Sequence, residues 1–380
     1  MKIEQRCWTE EDGWTSEPTS FFKENSQLVF LFGSTPVLKN GGQYEEIRKD
    51  YPNASLIGCS TAGEISSSQV YEDSLIVTAL YFEHTTLKMV EADIKNFENS
   101  REAGAHLIQS LDKEGLVHVL IFSDGLNING SELVDGMLCG LPNGVGLTGG
   151  LAGDYDRFTE TLVCSNASPK KEKIVVLGFY GTRLKVHYGS MSGFSSFGPE
   201  RLVTKSKGNV LYEIDGKSAL ELYKTYLGPK KAANLAVNQF YFPLGYKSKD
   251  GDDIVVRTIL SIDEKEGSMT SAGDILEGGF VRLMRGKVDD LVAGATQAAN
   301  TCLLGADRKS PDFAILVSCV GRKIVLKQRA EDEIETVRET FTEKTVLTGF
   351  YSYGEISPYA HLEPCKLHNQ TMSITTFTEV

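Results

Sequence analysis

The sequence predicts an α/β protein of two related (duplicated) domains, each with mixed sheets packed against helices. Three observations carry this reading. Short apolar runs that read as buried strands alternate with amphipathic segments that read as helices. A strand–turn–strand motif occurs once in each half of the chain. The length of 380 residues accommodates two cores of ordinary size.

Leu28–Phe32 is an apolar run that stops at Gly33-Ser34, as a buried strand does. Tyr44–Asp50 reads as a short helix and Ala54–Gly58 as the next strand. Asp73–Phe82 and Thr86–Val90 read as two further strands. Arg101–Lys113 carries Ala103, Leu107 and Leu111 at helical spacing. Val117–Phe122 is a further buried strand, and Ser131–Leu141 a helix with Ser131 as its N-cap. Gly146–Thr148 leads into a glycine-rich turn, and Thr161–Cys164 and Ile174–Tyr188 read as strands. Gly189–Arg201 is a loop by its glycine and serine content. Val210–Asp215 with Gly216 forms a hairpin-like unit before a helix over Ala219–Leu227. This divides the chain into an extension (1–27), a first domain (28–215) and a second domain (216–380). In the second half, Ile254–Ile262, Phe313–Cys319 and Thr345–Gly349 read as strands, and Val288–Cys302 and Ala330–Glu343 as helices. His368–Phe377 closes the chain as one alternating strand.

The composition is globular, with 41% hydrophobic and 24% charged residues. A net charge of −12 argues against nucleic acid or an anionic membrane as partner. No stretch approaches the roughly 18–20 apolar residues that span a bilayer. The N-terminus is acidic around Glu10, Glu11 and Asp12, the reverse of a secretory signal, so a cytoplasmic protein is expected. The 7 cysteines are odd in number and show no CxxC spacing, which suits core thiols in a reducing compartment. No zincin, Walker A, nucleophile-elbow or complete dinucleotide motif is present. Cys59, Ser60 and Cys319 are the nucleophile candidates at strand ends, with no His or Asp beside them, so the chain is not expected to be an enzyme.

The internal repeat is the clearest local signal. Gly58-Cys59-Ser60-Thr61-Ala62-Gly63-Glu64-Ile65-Ser66 matches Gly349-Phe350-Tyr351-Ser352-Tyr353-Gly354-Glu355-Ile356-Ser357 at Gly, Gly, Glu, Ile and Ser. Weaker echoes are Gly149–Asp154 and Met269–Ile275. Glycine before an acid suits a tight turn whose carboxylate accepts bonds from nearby N–H groups. Tyr351 and Tyr353 replace Ser60 and Ala62 in the second copy, as a pocket wall would require.

At these residues the sequence resembles the FIST sensory family. The matching stretches are GCSTAGEI (Gly58–Ile65), LTGGLAGD (Leu147–Asp154), FGPERLVT (Phe197–Thr204), FYFPLG (Phe240–Gly245), VSCVGRK (Val317–Lys323), GFYSYGEI (Gly349–Ile356) and LHNQT (Leu367–Thr371). The resemblance implies a small-ligand sensor of signal transduction, with amino acids among the proposed ligands. The stand-alone form is similar to the NosP-type branch of proposed haem-binding nitric-oxide sensors. That implies haem b as cofactor and a separate sensor histidine kinase or other signalling protein as partner, and a homodimer is a further expectation. The alternative is direct binding of an amino acid or similar metabolite without haem.

Haem takes an axial His, Cys, Met or Tyr in an apolar slot. His84 and His106 read as surface residues, His118 as a core histidine, and His361 as part of a turn. His368 heads the last strand on the face of Met372 and Ile374 and is the first axial candidate. His187 is the second, although strand alternation turns it towards solvent. The expected ligand site combines Tyr351, Tyr353 and Glu355 with His368 and Asn369. Arg257 and Arg322 supply positive charge for a carboxylate or a haem propionate.

Overall fold

The computed structural model describes residues 1–249, 251, 253–306, 309–359 and 363–380; the turn expected at His361 lies outside them. Its organising element is a parallel strand–helix–strand unit that occurs three times. The first unit pairs Leu28–Gly33 with Ser55–Ser60, the second Leu116–Ser123 with Gly146–Leu151, and the third Phe313–Cys319 with Val346–Ser352. These strands are almost wholly buried, which is why they read as continuous apolar runs rather than alternating ones.

Each unit sits in its own six-stranded sheet, and all three place a glycine at the same point. Gly58, Gly149 and Gly349 pair with Leu31, Ile121 and Leu316. A Cβ on them would stand 1.8, 1.9 and 1.9 Å from the carbonyl oxygen of that partner. Gly349→Ala is therefore expected to cost about 3 kcal/mol, the upper end of overpacking, read as a fall in urea midpoint. Gly42→Ala, with open space around it, should change the midpoint little.

After each second strand the chain crosses into a neighbouring sheet. Glu64–Ser66 pairs with the third unit, Val163–Ser165 with the first, and Gly354–Ser357 with the second. The three crossing turns bond one another in a ring: Ala62 N–H donates to the Tyr351 carbonyl (2.8 Å), Tyr353 N–H to Leu151 (3.2 Å) and Gly153 N–H to Ser60 (2.9 Å). The duplication thus extends to a third copy. The echo at Gly149–Asp154 belongs to it, whereas Met269–Ile275 lies in a different sheet.

Between the three sheets lies an aromatic core. Phe32, Phe122 and Phe350, one from each unit, meet with ring centroids 4.8–5.8 Å apart, and Phe30, Phe313 and Phe377 extend it. Helices cover the outer faces: Thr35–Asn40 and Gly42–Asp50 on the first sheet, Ser100–Gln109 and Gly130–Leu138 on the second, Val288–Gly305 and Ala330–Thr340 on the third. A fourth, eight-stranded antiparallel sheet is built from strands between Ser195 and Arg285, with its own core around the helix Ala219–Leu227. The fold is thus mixed α/β, with its sheets packed by helices. No helix among the described residues is long and apolar enough to cross a membrane.

Three local expectations are corrected. Asn129, not Ser131, caps the helix Gly130–Leu138, accepting from the N–H groups of Ser131 and Glu132. Most of Gly189–Arg201 is strand, because it finishes Leu184–Met191 and begins Ser195–Lys207. The closing strand is broken in two. Lys366–His368 lies in the second sheet and Met372–Glu379 in the third, and the chain turns between them at Gln370, with φ at 60°. His368 therefore does not share a face with Met372 and Ile374.

Candidate ligand cavity

Parallel strands leave their carboxyl ends open where neighbouring chains diverge, and ligands collect there. Here the strands Leu116–Ser123 and Phe313–Cys319 end at the ring of turns, and the fourth sheet faces them across a gap. The gap is a cavity of about 240 Å³. The second unit supplies Leu126, Gly130 and Leu151, the third Cys319, Val320 and Tyr353, and the fourth sheet Thr258, Leu260 and Ser271–Gly273. Phe158 and Phe240 stand at the side, and Phe158 stacks on Tyr353 with centroids 4.5 Å apart. Asn369 borders the cavity from the segment between the two closing strands.

Two buried carboxyls brace the turns. Glu355 accepts from Ser352 Oγ (2.6 Å), Thr371 N–H (3.1 Å) and Thr371 Oγ1 (2.8 Å). Glu64 accepts in the same pattern from Thr61, Ser74 N–H and Ser74 Oγ. Burial pushes both carboxyls up to about 7, against the lowering effect of these donors. Asp154 does the equivalent work in the shorter third copy, accepting from Thr159 and the Glu160 N–H. The residue before Ser74 and the one before Thr371 both have positive φ, 50° at Asp73 and 60° at Gln370. Glu72 and Asn369 therefore occupy equivalent positions. Glu72, Asp73, Glu64 and Arg157 line a cleft of about 170 Å³ at the first copy, so both full copies border a recess, one charged and one not.

Residues 27–217 match the FIST N domain and residues 219–358 the FIST C domain. The chain belongs to the FIST family. An uncharacterised protein of Methanocaldococcus jannaschii is 23% identical over 369 residues, covering 87% of this chain and 69% of its own length. FIST domains are associated with the sensing of small ligands in signalling.

Of the residues expected to form the FIST ligand site, Tyr353 and Asn369 border the cavity. Arg257 lies one layer behind, buried, with its guanidinium 2.9 Å from where a Cβ on Gly273 would stand. It donates to the carbonyls of Asp274 (3.1 Å) and Leu367 (3.0 Å). The other residues do not join the cavity wall. Arg322 is held by Glu333 in a pair with both side chains at 0% exposure. Tyr351 donates to the same Glu333 (2.8 Å) and is wholly buried, and Glu355 faces inward on the turn. Asn129, Asn209, Thr258, Phe158 and Phe240 line the cavity without having been singled out. Phe240 alone lay in a stretch carrying the family resemblance, and the others come from segments whose proximity only the fold creates.

Haem does not fit the residues that line this cavity. Neither axial candidate borders the cavity. His368 Nε2 is 2.7 Å from the Ser357 carbonyl and therefore carries its proton. The ring is wholly buried, its centroid 4.3 Å from that of Tyr359, and burial pushes its pKa down to about 3. His187 is half-buried, with Nδ1 2.6 Å from where a Cβ on Gly305 would stand. Cys319 and Tyr353 do border the cavity, but burial pushes the Cys319 thiol well up and keeps it protonated, and Tyr353 Oη donates to the Tyr155 carbonyl (3.2 Å). The volume also lies below the roughly 300–1,000 Å³ of pockets for drug-sized ligands.

Proposed function

We propose that this FIST protein is a cytoplasmic sensor that binds a small metabolite directly in this cavity, without haem and without catalysing a reaction. The carrying observation is that three separate parts of the fold, the second unit, the third unit and the fourth sheet, close on one recess. A ligand there touches all three at once and can bias their relative packing, which is what a sensor requires. The change passes to a separate signalling protein, a histidine kinase or similar partner. The buried Cys319 thiol, which burial holds protonated, supports a binding role over a catalytic one.

A thermal-shift screen against small metabolites tests this reading, with Ala272→Trp as the control. Ala272 is half-buried and borders the cavity, so an indole there fills the recess. Compounds that raise the melting temperature of the wild type should have no effect on this variant; saturation at a hundred times Kd adds about 2.7 kcal/mol. A screen without a single Ala272-sensitive compound, or a Soret band in the purified wild-type protein, would overturn the proposal.

A further inference from the structure

We infer that the ligand of this cavity is uncharged and planar, and presents an adjacent hydrogen-bond donor and acceptor, as a carboxamide, lactam or nucleobase edge does. The inference rests on the cavity being the sensing site, and it specifies what that site takes. Among the described residues, no Lys, Arg, His, Asp or Glu borders the cavity. A zwitterionic amino acid or a carboxylate would leave a charge unpaired in a recess of low dielectric, which costs several kcal/mol.

What the wall offers instead is an unfilled amide. Asn369 is at 0% exposure, and neither its Nδ2 nor its Oδ1 has a partner among the described residues. Thr258 borders the same cavity at 4% exposure with Oγ1 unpartnered. The other amides of the wall are committed: Asn129 Nδ2 donates to Asp274 and Asn209 Nδ2 to the Ser271 carbonyl. A buried primary amide with both functions open matches a ligand edge carrying one donor and one acceptor, the pairing by which asparagine reads adenine. Tyr353, Phe158, Phe240, Leu126 and Leu260 supply apolar surface for a flat ring. The equivalent position in the first copy is the carboxylate of Glu72, so the amide distinguishes this recess from its relative.

Four probes of similar shape separate the charge states: benzamide, benzoate, benzamidine and L-phenylalanine, titrated against the full chain by ligand-observed NMR. Benzamide is expected to bind at least tenfold tighter than the other three, and Asn369→Leu to weaken it at least tenfold. Thr258→Val, close in shape to the native residue, should weaken it severalfold and carries the test if Asn369→Leu does not fold. Tighter binding of benzoate, benzamidine or L-phenylalanine, abolished by Ala272→Trp, would keep the cavity as the site and overturn its neutral character. Benzamide binding that a folded Asn369→Leu or Thr258→Val variant leaves unchanged would overturn the inference too. If none of the four probes gives an Ala272-sensitive signal the inference fails, and the sensing site fails with it only when the metabolite screen also finds no such compound.

Discussion

Replacing Glu333 by alanine is expected to destabilise the protein by about 3–5 kcal/mol, the cost of leaving one member of a buried ion pair without its partner. Arg322 Nε and Nη2 donate to Glu333 Oε2 at 2.9 and 2.7 Å, and Ser318 Oγ and Tyr351 Oη donate to Oε1 at 2.9 and 2.8 Å. Nη1 and Nη2 also donate to the carbonyls of Ser192 and Leu291. Arginine cannot shed its proton, so without Glu333 the charge stays buried and the two hydroxyl donors lose their acceptor. The double variant Arg322→Met/Glu333→Leu should recover most of the loss, because it removes the charge along with its partner. Urea midpoints measure both effects. A loss below about 1 kcal/mol for Glu333→Ala, as for exposed ion pairs, would mean that the guanidinium reaches solvent and is free to serve a ligand. The measurement thus decides between a structural role for Arg322 and the ligand-binding role that the sequence suggested.

Glu355→Gln is expected to gain about 2–3 kcal/mol relative to wild type between pH 5 and pH 8. The sign follows from burial. The Glu355 carboxyl, ordinarily near 4.5, is pushed up to about 7. Between those values the folded state holds a proton that the unfolded state has released. Stability contributed by the protonated carboxyl is therefore lost as pH rises from about 4.5 to about 7, and Gln, which cannot ionise, does not lose it. Glu64 behaves in the same way. His118 and His368 oppose this effect: burial pushes both down from 6.5 to about 3, so the unfolded state takes up the extra proton and stability falls as pH drops through that window. From about 4.5 to 6.5 the pairs offset each other, and the wild type should show little slope from these four groups. The variant should show a positive one. Unfolding in urea at pH 5, 6, 7 and 8 checks this, and a wild-type-to-variant difference that stays constant across the series would show Glu355 titrating in the ordinary carboxylate range.

Much of the fold was legible because burial on both faces writes itself into composition. Leu28–Phe32, Val117–Phe122 and Phe313–Cys319 are each continuous apolar runs, and all three are central parallel strands. The Gly-acid repeat was legible for a different reason: a strand glycine at which no Cβ fits beside the neighbouring carbonyl, followed after the turn by a buried carboxyl, allows few residues. The third copy was fainter because its turn is one residue shorter. The break at Gln370 was missed because Lys366–His368 and Met372–Glu379 alternate in phase across a positive φ that no glycine marks.

Within the candidate site the division is sharper. Tyr353 and Asn369 were found from sequence because both lie within a few residues of the repeat or its closing strand. Arg322 and Arg257 were chosen for their charge amid apolar residues, a pattern that a ligand and a buried partner produce equally well; Glu333, on a helix eleven residues further on, decided for Arg322. The sequence by itself determined the α/β class, the buried strands, the repeated turns and the membership of a sensory family, since these depend on local composition and short-range sterics. The tertiary structure alone decided that the crossing strands are exchanged between sheets and that Thr258, Phe240 and Asn369 surround one uncharged recess. The exchanged strands, and Asn369 with Thr258 or Phe240, lie more than a hundred positions apart, and only the packing of complete sheets brings them together.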